Sequence, residues 1–179
     1  KNLKSNEVTM KPVKQINIDK GMKVNDLVKE MSLSGVFGAG RIAKASDIFE
    51  KMIKEECTVF FGFAGAMVPG GMKNIVVNML RNGFIKVFVT TGANLTHDLI
   101  EAIGYRHYIG SANVSDIKLH KAKIDRIYDS FMPNDVYKGL ERFFNFLVER
   151  LPRKKMNIKA FIHYIRSVMK KGYNYLPML

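Results

Sequence analysis

The chain has 179 residues, 47% of them hydrophobic, enough for one packed domain with a small extension. It has no run of about 18 apolar residues, which argues against a membrane-spanning helix, and its single cysteine, Cys57, excludes an intrachain disulfide or a cysteine-based metal site. The formal charge of +13 draws anionic partners, and it is unevenly spread, with eight basic and no acidic residues over 150–179.

Residues 1–10 lack an apolar signal core, so a cytoplasmic location is expected. Val24, Leu27, Val28 and Met31 follow helical spacing and predict a helix over 24–31. The glycines at 35, 38 and 40 predict a loop. Ile42, Ala45, Phe49, Met52 and Ile53 mark a second helix. "CTVFFGF" is a short apolar run, as expected of a strand buried on both faces. "AGAMVPGG" is a small-residue loop. A helix follows it with Met72, Ile75, Val76, Met79 and Leu80 on one side, ended by Asn82-Gly83.

"IKVFVTT" predicts a second buried strand. Asn94 reads as the N-cap of a helix over 95–103, with Gly104 as its stop. "RHYIG" predicts a third short strand. Pro133-Asn134 opens a helix with Val136, Leu140, Phe143 and Leu147 inward. A last helix, over 157–171, is expected to bury Ile158, Phe161, Ile162, Ile165 and Met169. Strand-loop-helix units in series predict an α/β fold with a mostly parallel sheet and helices on both faces. Ligands on such sheets bind at the carboxyl ends of the strands. The loops over 63–71 and 90–96 fall there, each leading to a helix N-terminus that favours phosphate. The spacing fits a dinucleotide site without a GxGxxG fingerprint, or glycines that only permit close packing.

Five blocks occur in order: "FGAGRIAKASDIFEKMI", "FFGFAGAMVPGGMKNIVVNMLRNG", "VFVTTGANLTHDLIEAIG", "HYIGS" and "DRIYDSFMPNDVY". Together they resemble the deoxyhypusine synthase family, in the form of its archaeal and synthase-like branches. The resemblance implies a Rossmann-like fold, incomplete here without a second half. It implies an NAD-dependent transfer of the butylamine unit of spermidine to a lysine of the hypusine-carrying translation factor. It further implies a tetrameric assembly with active sites between subunits.

Carried over by position, Gly65, Ala66, Met67, Val68 and Pro69 match the first NAD-contacting loop, and Thr91, Gly92 and Ala93 the second. Thr96 and His97 fall where eukaryotic members place two glutamates near the polyamine and nicotinamide. Gly65, Ala66 and Pro69 stand in place of Ser, Asn and Ser in the eukaryotic pattern, which leaves backbone groups to hold cofactor. The family's catalytic lysine lies in a second half that this sequence does not contain.

The expected organisation is an N-terminal extension and helix over 1–34, the α/β NAD-site domain over 35–150, and a basic, partner-binding helix and tail over 151–179. The expected function is a subunit of a split synthase, inactive alone. Its partner would be a second chain with the catalytic lysine, in a hetero-tetramer or larger, with no membrane and no metal. Alternatives are a non-catalytic regulatory paralogue of a full-length synthase, a homospermidine-type synthase subunit, a basic nucleic-acid-binding module, or a fragment of a longer product. His97 is a candidate general base or cofactor-orienting group, or a structural imidazole in the first turns of its helix. Asp98 complements the helix N-terminus. His107, His120 and His163 have no metal-ligand spacing and read as structural or surface residues.

Overall fold

The computed structural model describes residues 11–170, in two compact units that divide between Val59 and Phe60. In the first unit, α1 (Val24–Ser34) ends at Gly35, whose φ of 70° is left-handed and whose N–H closes on the Met31 carbonyl. The second helix, α2 (Phe37–Lys54), starts two residues later. The glycine-rich loop expected over 35–40 is therefore only a turn, and Gly38 and Gly40 are helical. A Cβ on Gly40 would lie 2.4 Å from the carbonyl carbon of Gly35, so this glycine lets the start of α2 pass close to the end of α1. Phe49, Met52 and Ile53 are half-buried, as their spacing predicts, but at the start of α2 it is Ala43 that is fully buried, while Ile42 and Ala45 are exposed.

Gly40→Ala should accordingly destabilise this helical hairpin. The obstacle is backbone and cannot rotate away, so overpacking of about 1–3 kcal/mol is expected. Thermal unfolding compared with Gly38→Ala, where a Cβ meets nothing within 4 Å, checks this. Equal midpoints for the two variants would refute it.

The second unit opens with β1 (Phe60–Phe63), α3 (Lys73–Arg81) and β2 (Val87–Thr90). The two strands pair in parallel, Phe60 opposite Val87 through Phe63 opposite Thr90. Alternation sends Phe61, Phe63 and Phe88 to one face, where Phe61 stacks on the other two at 6.2 and 6.4 Å between centroids and Phe63 meets Phe88 tilted at 5.8 Å. Phe63, Val68 and Val76 form the core there. The other face is not buried as expected: Phe60 and Val89 are exposed.

Next come α4 (Gly92–Ala102), β3 (Tyr108–Ile109), α5 (Asp116–Lys121), β4 (Ile124–Ile127) and β5 (Ser130–Pro133). β3 does not join β1 and β2. It pairs antiparallel with β5, which also pairs with β4, in a separate three-stranded sheet. The β4–β5 hairpin is not foreshadowed by sequence pattern, because its turn at Tyr128-Asp129 lacks glycine; Tyr128 itself takes a φ of 58°.

Finally, α6 (Asp135–Val148) buries Val136, Leu140, Phe143 and Leu147, as its spacing predicts, and Gly139 besides. Gly139 has no room for a side chain, because the Tyr105 ring occupies the place of a Cβ. The last helix, α7 (Ile158–Lys170), packs Phe161, Tyr164, Ile165, Val168 and Met169 against the core around α6. Ile158 and Ile162, expected inward, are 71% and 44% exposed, so the buried face of α7 is turned toward Tyr164 and Val168. The apolar tail "YNYLPML" lies outside the described residues. Among the described residues the architecture is mixed α/β, with seven helices and two small sheets.

Candidate functional site

Because β1 and β2 run in parallel, the loop after each emerges at the same edge. The Phe63 carbonyl joins them. It accepts from Thr90 Oγ1 at 2.7 Å and from Asn94 Nδ2 at 3.0 Å. Asn94 is thus not the N-cap of α4. It is the third helical residue, 2% exposed, and it ties the helix back to β1; Thr91 holds the cap position with extended backbone. Asn94 Oδ1 is buried and has no hydrogen-bond partner among the described residues.

The first loop is a compact turn. Its later amides, of Gly70, Gly71 and Met72, bond to the carbonyls of Ala66, Val68 and Met67. Gly65, Ala66 and Met67 are exposed at its tip, with Gly65 at a φ of 75°. Val68 points the other way, into the core with Phe63 and Val76, and Pro69 is half-buried. On the second loop Thr91, Gly92 and Ala93 are exposed. The amides of Gly92, Ala93 and Asn94 precede the first intrahelical bond, from Leu95 N–H to Thr91 O, and no side chain caps them. A Cβ on Gly92 would meet nothing within 4 Å, so this helix start is open to an approaching group. Between the loops lies a small apolar cavity of about 110 Å³, bounded by Phe63, Val76, Phe88, Asn94 and Lys73.

Polar groups line up beside it. Lys73 Nζ sits 3.0 Å from both Asp98 Oδ1 and Glu101 Oε2. Glu101 Oε1 is 2.9 Å from His107 Nδ1, and His107 Nε2 is 2.9 Å from His97 Nδ1. Burial alone would lower the Lys73 pKa, but hydrogen bonds to Glu101 and Asp98 reverse this and raise it. Burial would raise Glu101, yet the hydrogen bonds from His107 and Lys73 hold it below the usual carboxylate range. His97 is lowered, first by burial and then by the neighbouring His107, with Glu101 opposing.

Asp98 therefore makes an ion pair with Lys73, and His107 is an internal member of the chain of contacts. Sequence spacing missed these partnerships: Lys73 comes from α3, far from Asp98 and Glu101 along the chain, and the His107 contacts at six and ten residues follow no helical interval. Thr96 is exposed and, with Asp98, lines a larger groove of about 750 Å³ between α4, α6 and α7. Leu95, Leu99, Phe144, Ile158 and Ile162 make that groove apolar.

A model of the deoxyhypusine synthase family matches residues 26–175, across both loops and the polar row. The chain belongs to the deoxyhypusine synthase family. It is 46% identical over 156 residues to a probable deoxyhypusine synthase of Methanosarcina thermophila, covering 87% of this chain and 49% of that relative. A probable deoxyhypusine synthase 1 of Archaeoglobus fulgidus is 42% identical over 134 residues, 75% of this chain and 44% of its own length. The chain thus spans about half the length of the curated deoxyhypusine synthases it matches. No described helix is long and apolar enough to cross a membrane, and no described group of three or more His, Cys, Asp or Glu side chains could hold a metal ion.

Proposed function

We propose that this chain supplies the first half of the NAD and polyamine site of a deoxyhypusine-synthase-like aminobutyl transferase, working in the cytoplasm. A second chain supplies the catalytic lysine. The match of residues 26–175 to the family carries this reading. The fold adds chemistry that fits a phosphate-bearing cofactor: uncapped amides at residues 92–94, an open Gly92, and a buried, unpartnered acceptor on Asn94. NAD, when bound, serves as hydride acceptor. Gly65, Ala66 and Met67 would border it on one side, and Thr91, Gly92 and Ala93 on the other. Val68 would support the loop from within the core. Thr96 and His97 would face the polyamine.

The partner half has a surface to meet. Phe60 and Val89 on the sheet, with Ile158 and Ile162 on the rim of the groove, form exposed apolar patches of the kind that mark interfaces. The assembly would be a Rossmann-like hetero-tetramer or larger, with spermidine and the hypusine-carrying translation factor as substrates. The half-site reading is the same if the missing half continues this polypeptide; the intact mass of native material decides between the two. The groove equally suits a regulatory paralogue, in which case a full-length homologue co-purifies instead of a complementary half.

Calorimetric titration with NAD tests the reading. The chain alone offers one side of a site, so binding should be weak, and at least about tenfold tighter, about 1.4 kcal/mol, with the complementary half present. Tight binding by the chain alone, or none to the assembly, would overturn it.

A further inference from the structure

The contacts between Lys73 and His97 form a continuous row whose direction can be read from chemistry. We infer that Glu101 and His107 are positioning residues that hold His97 as a proton acceptor, fixing its hydrogen on Nδ1 and leaving Nε2 bare. The inference rests on the half-site reading, and it adds two residues and a proton path to it.

The row begins at Lys73. Its ammonium group lies 3.0 Å from Glu101 Oε2, which keeps Glu101 ionised. A carboxylate only accepts hydrogen bonds, so His107 must donate from Nδ1 to Glu101 Oε1, 2.9 Å away. A His107 ring that carries a single hydrogen then has its lone pair on Nε2. His97 Nδ1 lies 2.9 Å from that atom and must be the donor. His97 is left with a lone pair on Nε2, the ring nitrogen without a partner among the described residues. An imidazole free in water prefers the opposite tautomer.

The His107 side chain is only 6% exposed and both its ring nitrogens are engaged. It therefore exchanges protons mainly through His97. The step balances as a transfer of one proton. A bound ammonium group loses H⁺ to His97 Nε2. The hydrogen on His97 Nδ1 passes to His107 Nε2, and the new imidazolium of His107 rests against the Glu101 carboxylate. The charged group in contact with the pair is Glu101 on α4, which is held in turn by Lys73 on α3, and Lys73 also pairs with Asp98 on α4.

Long-range ¹H–¹⁵N spectra of the 179-residue chain, labelled at its four histidines, test the assignment directly. His120→Gln and His163→Gln variants identify the other two signals. Above the pKa of His97, its Nδ1 should carry the hydrogen and its Nε2 should not. In His107→Phe the His97 ring should revert to mainly Nε2–H. In the assembled enzyme, Glu101→Gln should lower kcat at least about tenfold and move the acid limb to lower pH, because the carboxylate raises the His97 pKa. NAD affinity should stay unchanged. A wild-type His97 with its hydrogen on Nε2 overturns the inference whatever the variants do, and whether or not NAD binds. Failure of NAD binding with the expected tautomer overturns the half-site reading instead.

Discussion

Incubated with NAD, spermidine and the hypusine-accepting factor, the chain alone should give no aminobutyl transfer. Adding the complementary half should give turnover. An enzyme-imine intermediate needs an unprotonated lysine amine, one whose pKa has been lowered beside the bound cofactor. The fold does the reverse with the lysine that borders the cavity between the two loops. Lys73 is flanked by Asp98 and Glu101, each at 3.0 Å, and its pKa is raised. Such a group is a fixed cation, which can anchor Glu101 but cannot attack a carbon. Lys73→Ala in the assembly should therefore leave imine formation possible, while loss of the partner's lysine should abolish it. Product formed by the isolated chain at a rate matching the assembly would rule out a split site. So would trapping an imine on Lys73 by borohydride.

The second large effect is on stability. Phe143→Ala should cost about 3–5 kcal/mol, with an unchanged denaturant slope. Phe143 is fully buried at the centre of the main core, among Ile100, Met132, Val136 and Leu147, and α7 packs on the same cluster. Removing the ring leaves a cavity walled by three helices and β5, which cannot all move inward. Its neighbour Phe144 is the control. That ring meets Phe143 edge-on at 5.7 Å, but it is 39% exposed and lines the groove. Phe144→Ala should cost no more than about 2 kcal/mol, the sum of an ordinary surface substitution and one edge-on aromatic pair. Its greater effect should fall on association with the complementary half. Equal losses of stability at the two positions would mean that the α6 face is misassigned.

Some of this architecture is written in local spacing. The apolar positions of α6 repeat at helical intervals, and the residues they pick out, Val136, Leu140, Phe143 and Leu147, are the ones buried. The same holds for the stop at Gly104, which takes a φ of 105°, and for the placement of both small-residue loops after parallel strands. Helical and extended periodicity are consequences of one face meeting a core, so the sequence carries them without knowledge of the partner element. The ordered blocks likewise carry the family, which the match over residues 26–175 bears out.

What periodicity does not encode is which face meets what. The stripe on α7 is apolar on Ile158 and Ile162 as well as on Tyr164 and Val168, and only packing against α6 chose the second pair. Asn94 has the residue type of an N-cap, yet the proximity of β1 gave it the Phe63 carbonyl, 31 residues away, and drew it into the helix. β3 has the composition of a further parallel strand, but its backbone groups found β5. His97 and His107 are ten residues apart with no motif between them, and the turn that closes α4 brings their rings to hydrogen-bond distance. The sequence by itself determined the family and most of the elements in their order, but not α5 or the β4–β5 hairpin, whose short segments carry no periodicity or glycine turn. The tertiary structure decided the polar partners, because a hydrogen bond needs an ångström-scale approach that only the packing of separate elements provides.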